Sequence, residues 1–179
     1  MSVPLTQAVI EIERHVAASG WDQPPRLYAL VDTTDLLRAE PSLAATLGQP
    51  AGSSAENESK PAAESWTPIE QQDLPADTPL EDALARIVWP PTVHGCALVV
   101  ERLMLPPSAE ADLPTSGDVA AVVASHPDRQ EVRISVGVLR DGRRASAVRL
   151  RTHDQDDSVV SGANLVPVLG DALAATLVG

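Results

Sequence analysis

The most constraining feature of this chain is a run of β-branched residues at every second position. Val132, Ile134, Val136 and Val138 alternate with Arg133, Ser135 and Gly137, a period of two that sets the four on one face of a strand. Beyond Asp141-Gly142, Val148 and Leu150 supply a second apolar face. A two-residue turn at Asp141-Gly142 would set Ile134 opposite Arg149. A three-residue loop, Arg140-Asp141-Gly142, instead pairs Ile134 with Val148 and Val132 with Leu150, and gives Gly142 the left-handed position of a bulge. A slip of one residue turns every side chain to the other face, so the apolar pattern selects the three-residue loop.

That register has an electrostatic consequence. Residues 129 to 151 hold seven of the twelve arginines: Arg129, Arg133, Arg140, Arg143, Arg144, Arg149 and Arg151. Arg133 and Arg149 are expected opposite each other on the outward face, with Arg151 diagonal to them. Like charges directly across a sheet repel, so they must be offset by carboxylates of the same chain, by a second subunit or by an acidic partner. Exposed pairs are worth little, which favours neutralisation within the chain. The sharper expectation is a partner-binding face made of Arg133, Arg149 and Arg151, taking a second copy of the chain or an acidic protein or peptide.

Two further strands are expected, at 26–31 (RLYALV) and at 96–105 (CALVVERLML). The latter is apolar on both faces apart from Glu101 and Arg102 and is therefore placed centrally. With the hairpin strands at 131–139 and 143–152, the expectation is an α+β fold on a mostly antiparallel four-stranded sheet. A helix over Pro4 to Ser19 carries Leu5, Ala8, Val9, Ile12 and Val16 at helical spacing, and another begins at Thr34 or Asp35. Thr78-Pro79-Leu80-Glu81 reads as a capping box with Thr78 as the cap. Asp118 to Ser125 is read as a short helix capped by Asp118. A last helix, from about Asn164 to Leu177, is read with Asn164 as its cap and Val166, Leu169, Leu173 and Leu177 as its buried stripe. The N- and C-terminal helices are expected to pack on the sheet.

The 179 residues are 44% hydrophobic, enough for a core and consistent with a single domain over 1–179. With no Phe, one Tyr and three Trp, that core must be filled by Ala, Val and Leu. Residues 48–66 are rich in Gly, Pro, Ser, Ala and Glu without periodicity, and read as a flexible low-complexity insertion.

Charge and motif content narrow the chemistry. A net charge of −12 opposes the electrostatic attraction that drives binding to nucleic acid and anionic membranes, and few aromatics are available to stack bases. No run approaches the roughly 18 apolar residues of a membrane span, and the first residues lack a signal-peptide pattern. A lone Cys96 allows no internal disulfide and fits the cytoplasm. Of the histidines His15, His94, His126 and His153, only His94 has a potential co-ligand close by, in Cys96, and no CxxC or HExxH occurs. Cys96 reads instead as a small buried hydrophobe. Asp154, Asp156 and Asp157 have Val159 and Leu165 where a calcium loop needs Gly and Glu. No phosphate-binding glycine loop and no GxSxG elbow is present. No cofactor, metal or catalytic residue is therefore expected. Trp21 and Trp89 each neighbour a proline pair and read as structural staples.

At WDQPPRLYALV (Trp21 to Val31) and WPPTVHGCALVVER (Trp89 to Arg102), the chain resembles an uncharacterised family of actinobacterial proteins of about 180 residues. The resemblance implies an actinobacterial origin and no particular activity. The order of elements is also similar to that of type III secretion chaperones, an analogy of architecture. The expected class is a non-catalytic protein-binding module of chaperone or adaptor type, with a homodimer as one expected form. The rival is a small enzyme with an unrecognised active site, and the third reading is a nucleic-acid-associated regulator.

Overall fold

The computed structural model describes residues 3–44, 64–71, 74, 78–110 and 118–178. Six strands form one antiparallel sheet: β1 (Arg26–Asp32), β2 (Trp66–Glu70), β3 (Gly95–Met104), β4 (Gln130–Leu139), β5 (Arg144–Leu150) and β6 (Val160–Gly162). Their order across the sheet is β2-β1-β3-β4-β5-β6. The helices are α1 (Val3–Ala17), α2 (Thr33–Ala39), α3 (Leu80–Leu84), α4 (Pro107–Glu110), α5 (Val119–Ser125) and α6 (Pro167–Thr176).

The hairpin has the expected register. Ile134 faces Val148, Val132 faces Leu150 and Arg133 faces Arg149. Gly142 sits at φ 87°, where a Cβ would be strained. Its amide donates to Leu139 O at 2.9 Å, and Leu139 N donates to Arg143 O at 2.9 Å. These bonds close the three-residue loop. β3 lies between β1 and β4, the central place its two apolar faces require.

The sheet has six strands, where four were expected. β2 and β6 supply the two edges, and both are weak as strand signals. β2 is WTPIE, and its Pro68 demotes any strand reading. β6 has only three residues. Trp66 belongs to β2 and so to the sheet, whereas 48–63 of the expected insertion lie outside the described residues. Two caps also differ. Pro79 has ψ 140° and stays extended, so α3 begins one residue later and Thr78 is too far upstream to cap it. Pro167 occupies the first turn of α6, and Val166 rather than Asn164 is the residue before it. Asp118 does cap α5, its carboxylate accepting from Ala121 N at 3.1 Å.

Because strand side chains alternate, each face of the sheet needs its own cover. Leu5, Val9, Ile12 and Val16 of α1 close over Tyr28, Leu30, Ala97, Val99, Ala145 and Ala147. Small residues on this face let the helix approach closely. A Cβ on Gly137 would lie 2.6 Å from Val9 Cγ2 and 3.2 Å from Leu5 Cδ1. On the opposite face, Leu173 and Leu177 of α6 and Leu80 and Leu84 of α3 cover Cys96, Leu98, Val100, Val132, Ile134, Val136 and Val138. The terminal helices thus lie on opposite sides of the sheet. At the hairpin tip, Arg140 Nε donates to Val93 O at 2.8 Å and Nη2 to Trp89 O at 3.1 Å, while Nη1 donates to Leu177 O at the end of α6.

Candidate functional site

Of the three arginines expected to form a cationic face, Arg133 and Arg149 share one side of the sheet and are covered by α1, whereas Arg151 lies in the turn just past β5 and is exposed. Arg133 is 0% and Arg149 2% exposed. Both converge on Glu13, a wholly buried carboxylate on the inner face of α1. Glu13 takes Arg149 in a fork, Nε to Oε1 at 2.7 Å and Nη2 to Oε2 at 2.8 Å. Arg133 Nη1 stands 3.9 Å from Glu13 Oε1, and its Nη2 donates to Glu101 Oε1 at 2.9 Å and to Gly20 O just beyond the end of α1. A carboxylate held by two guanidiniums offsets the like-charge contact across β4 and β5. Neutralisation within the chain is the arrangement present.

Around this pair the charges continue outward. Arg149 also donates to Asp154 Oδ1 at 3.3 Å and to Asp156 Oδ1 at 2.7 Å, so part of the acidic run anchors the cluster. Arg151 grips Asp22 in a fork, with both bonds at 3.0 Å, and reaches Glu131. Trp21 lies beneath Arg133, 4.4 Å from guanidinium carbon to ring centroid, and 5.5 Å from Arg151. Its indole donates to Asp154 at 2.9 Å. Hydrogen bonding and charge from Arg151 hold the Asp22 carboxyl below the usual range, and Arg149 does the same for Asp156. The cluster sews α1, the 20–25 loop, three strands and the 151–158 segment together.

The possible thiol–imidazole pair is not assembled. Cys96 lies under α6, its Sγ 3.6 Å from Thr176 Oγ1, and burial pushes the thiol up to about 11. A protonated, enclosed thiol is a poor nucleophile. The His94 ring instead packs on Trp66, with centroids 5.6 Å apart. Trp89 is buried and donates to Thr176 Oγ1 at 3.0 Å, a structural role as expected. Among the described residues no three His, Cys, Asp or Glu side chains are grouped to hold a metal ion. No helix among them is long and apolar enough to cross a membrane.

A groove not foreseen from the sequence runs between α1 and the β1–β2 edge. It has a volume of about 310 Å³ and is lined by Glu11, Ile12, His15, Tyr28, Pro68 and Glu70. Glu11 and His15 sit four residues apart and therefore on one side of α1. Antiparallel pairing sets Tyr28 beside Glu70. The Tyr28 hydroxyl is buried, with the Arg26 guanidinium beside it. Burial, and then the Glu70 carboxylate, push its phenol above the ordinary value. Arg26 opposes part of that rise, but its guanidinium is bonded to Glu70 and Gln23. The available signals were the exposed Glu11–His15 spacing and the single tyrosine. Without β2, neither had a second wall to face.

Fold and side-chain placement define a six-stranded antiparallel-sheet protein layered between helices, with an internal charge cluster and a small polar groove. The chain belongs to the PPA1309-like protein family, an uncharacterised family whose model matches residues 5–178. No curated protein and no solved structure matches the chain.

Proposed function

We propose that this chain is a non-catalytic protein-binding module, of adaptor or chaperone-like type, whose partner presents positive charge. The observation that carries this reading is the inward neutralisation of the arginine-rich hairpin. Arg133 and Arg149 are buried on Glu13, and Arg143, Arg144 and Arg151 pair with Glu64, Asp171 and Asp22. An acidic partner therefore finds Arg133 and Arg149 out of reach, and Arg143, Arg144 and Arg151 already paired with carboxylates of the chain. The exposed carboxylates of Glu11, Glu81, Asp82 and Asp128 have no cation in pairing distance among the described residues. With a net charge of −12, such a surface attracts basic partners and speeds their encounter. Helices at both ends of the chain around an antiparallel sheet support the likeness to secretion chaperones at the level of architecture alone. A buried, reduced Cys96 fits a cytoplasmic setting.

Affinity capture from the native host across a salt series, with light scattering on the purified protein, tests the proposal. A stoichiometric Lys- and Arg-rich partner, released as salt rises, is the expected result. A chain that captures no partner, stays unassociated and turns over a small molecule would instead be the enzyme.

A further inference from the structure

We infer that the outer face of α6 is where a second copy of this chain docks, related to the first by a two-fold axis. The two helices that cover the sheet differ on their outward sides. α1 turns Gln7, Glu11, Arg14 and His15 to solvent, the polar back of a surface helix. α6 instead exposes Val168, Asp171 and Ala175, and the stripe continues to Val178, whose amide donates to Ala175 O at 3.4 Å. At 3.6 residues per turn these four fall within about 80° of one another around the axis, opposite the buried Leu173 and Leu177. Asp171 is the only charged residue of α6, and Arg144 already pairs it at 2.7 Å.

The apolar surface extends past both ends of the helix. Leu165 rests on Gly162 of β6, and Val160 of that strand shares the α6 side of the sheet with its neighbour Val148. At the other end, Trp89 bonds Thr176 and so holds Val88 close to the last turn. Val88, Val160, Leu165, Val168 and Val178 are 80%, 58%, 42%, 75% and 85% exposed, half of the ten large hydrophobics exposed among the described residues. Single exposures scattered over a surface need no explanation, whereas a concentration along one helix marks a contact. Charge selects the occupant. Each copy carries a net charge of −12, so two copies repel over most of their surface. Along α6 the one carboxylate is neutralised within the chain, and repulsion there is least. A basic partner would gain nothing from a stripe without net charge. The stripe is also complementary to itself. With two α6 helices antiparallel, Val168 of each meets Val178 of the other, as a two-fold contact requires. Ala172 and Ala175 near the crossing let the two backbones approach. This dimer does not depend on the acidic surface assigned above to a basic partner.

A helix of ten residues with its flanks is smaller than the roughly 1,600 Å² of a standard interface. A dissociation constant on the order of 10 μM is expected, and sedimentation equilibrium of the full chain from about 1 to about 300 μM brackets it. A monomer should give way to a dimer, and rising salt should strengthen the association by screening the like net charges. Val168→Glu and Ala175→Glu each bring a carboxylate from both copies into the contact and should weaken the dimer roughly tenfold or more. Both positions are exposed, so thermal unfolding of the dilute variants should match that of the parent chain. Val3→Glu, on the outer side of α1, should leave the dimer intact. A chain that is monomeric throughout the range overturns the inference. So does a dimer that survives both α6 substitutions, or one that salt dissociates, since either assigns the contact to another surface. If the chain stays monomeric and Val168→Glu abolishes capture of a different protein, or adsorption to phosphatidylcholine vesicles, the face belongs to that protein or to lipid and the dimer falls.

Discussion

Glu13 is the residue on which the interior depends most. It is the carboxylate facing both buried guanidiniums, so Glu13→Gln would leave Arg133 to Glu101 alone and Arg149 to its rim partners Asp154 and Asp156. Breaking a buried pair from one side costs about 3–5 kcal/mol where the charge is left uncompensated, so with these partners remaining about 1–3 kcal/mol is expected. A loss of that size is expected in urea unfolding followed by tryptophan fluorescence, and a loss below about 1 kcal/mol would remove Glu13 from this role. Acid should weaken the fold at the rim of the same cluster. Asp22 and Asp156 have folded values below their ordinary one, so the unfolded chain takes up their protons first as pH falls. Their contribution is complete above about pH 4 and disappears as pH drops through the lowered folded values. Asp22→Asn should flatten that part of the stability–pH curve, and an unchanged curve would contradict the pairing with Arg151. The juxtaposition of Arg133 and Arg149 was legible in the sequence, because turn chemistry and an alternating pattern fix it. Their burial was not. Glu13 lies next to Ile12 on α1, but nothing local reveals that this side of the helix lands over β4 and β5.

The elements divide in the same way, between those that carry their own signal and those defined by a neighbour. The hairpin is self-specifying, since only one register keeps both apolar faces together. α1, with its heptad-like stripe, and α5, with Asp118 as its cap, are similar. β2 is an element only because β1 is there to receive it. The bonds Thr33 N to Ser65 O and Gln71 N to Leu27 O fix which pairs along β1 and β2 exchange hydrogen bonds. By alternation, Pro68 opposite Leu30 is not one of them. Its ring therefore occupies a position from which an amide would otherwise project toward the open edge, a recognised guard against strand addition. Pro68→Thr is expected to raise self-association at high protein concentration, measured by light scattering. An unchanged molar mass would show that the edge is protected by other means. On the covered face, Gly137→Ala should cost about 1–3 kcal/mol by forcing Val9 and Leu5 outward, and a neutral effect in thermal unfolding would mean α1 rides higher than described.

At the scale of the whole molecule, the sheet joins segments far apart in the chain. β1 pairs with β3, and β3 with β4, across long connections, while only the β4–β5 turn is short. Closing such distant pairings is slow. Refolding from urea is expected on the millisecond-to-second scale in stopped-flow fluorescence, and a microsecond phase carrying all the amplitude would be incompatible with this topology. The expectation of an antiparallel sheet with terminal helices came from the individual elements. That the helices take opposite faces came from their assembly, which no single segment records. Arg140 shows what such assembly entails. One side chain at the tip of the hairpin collects carbonyl groups from the 89–93 bend and from the last turn of α6, like a clasp closing two ends of a strap. Loosening either end releases the other, so amide protons at the tip and at the end of α6 should exchange with solvent together, as one cooperative opening.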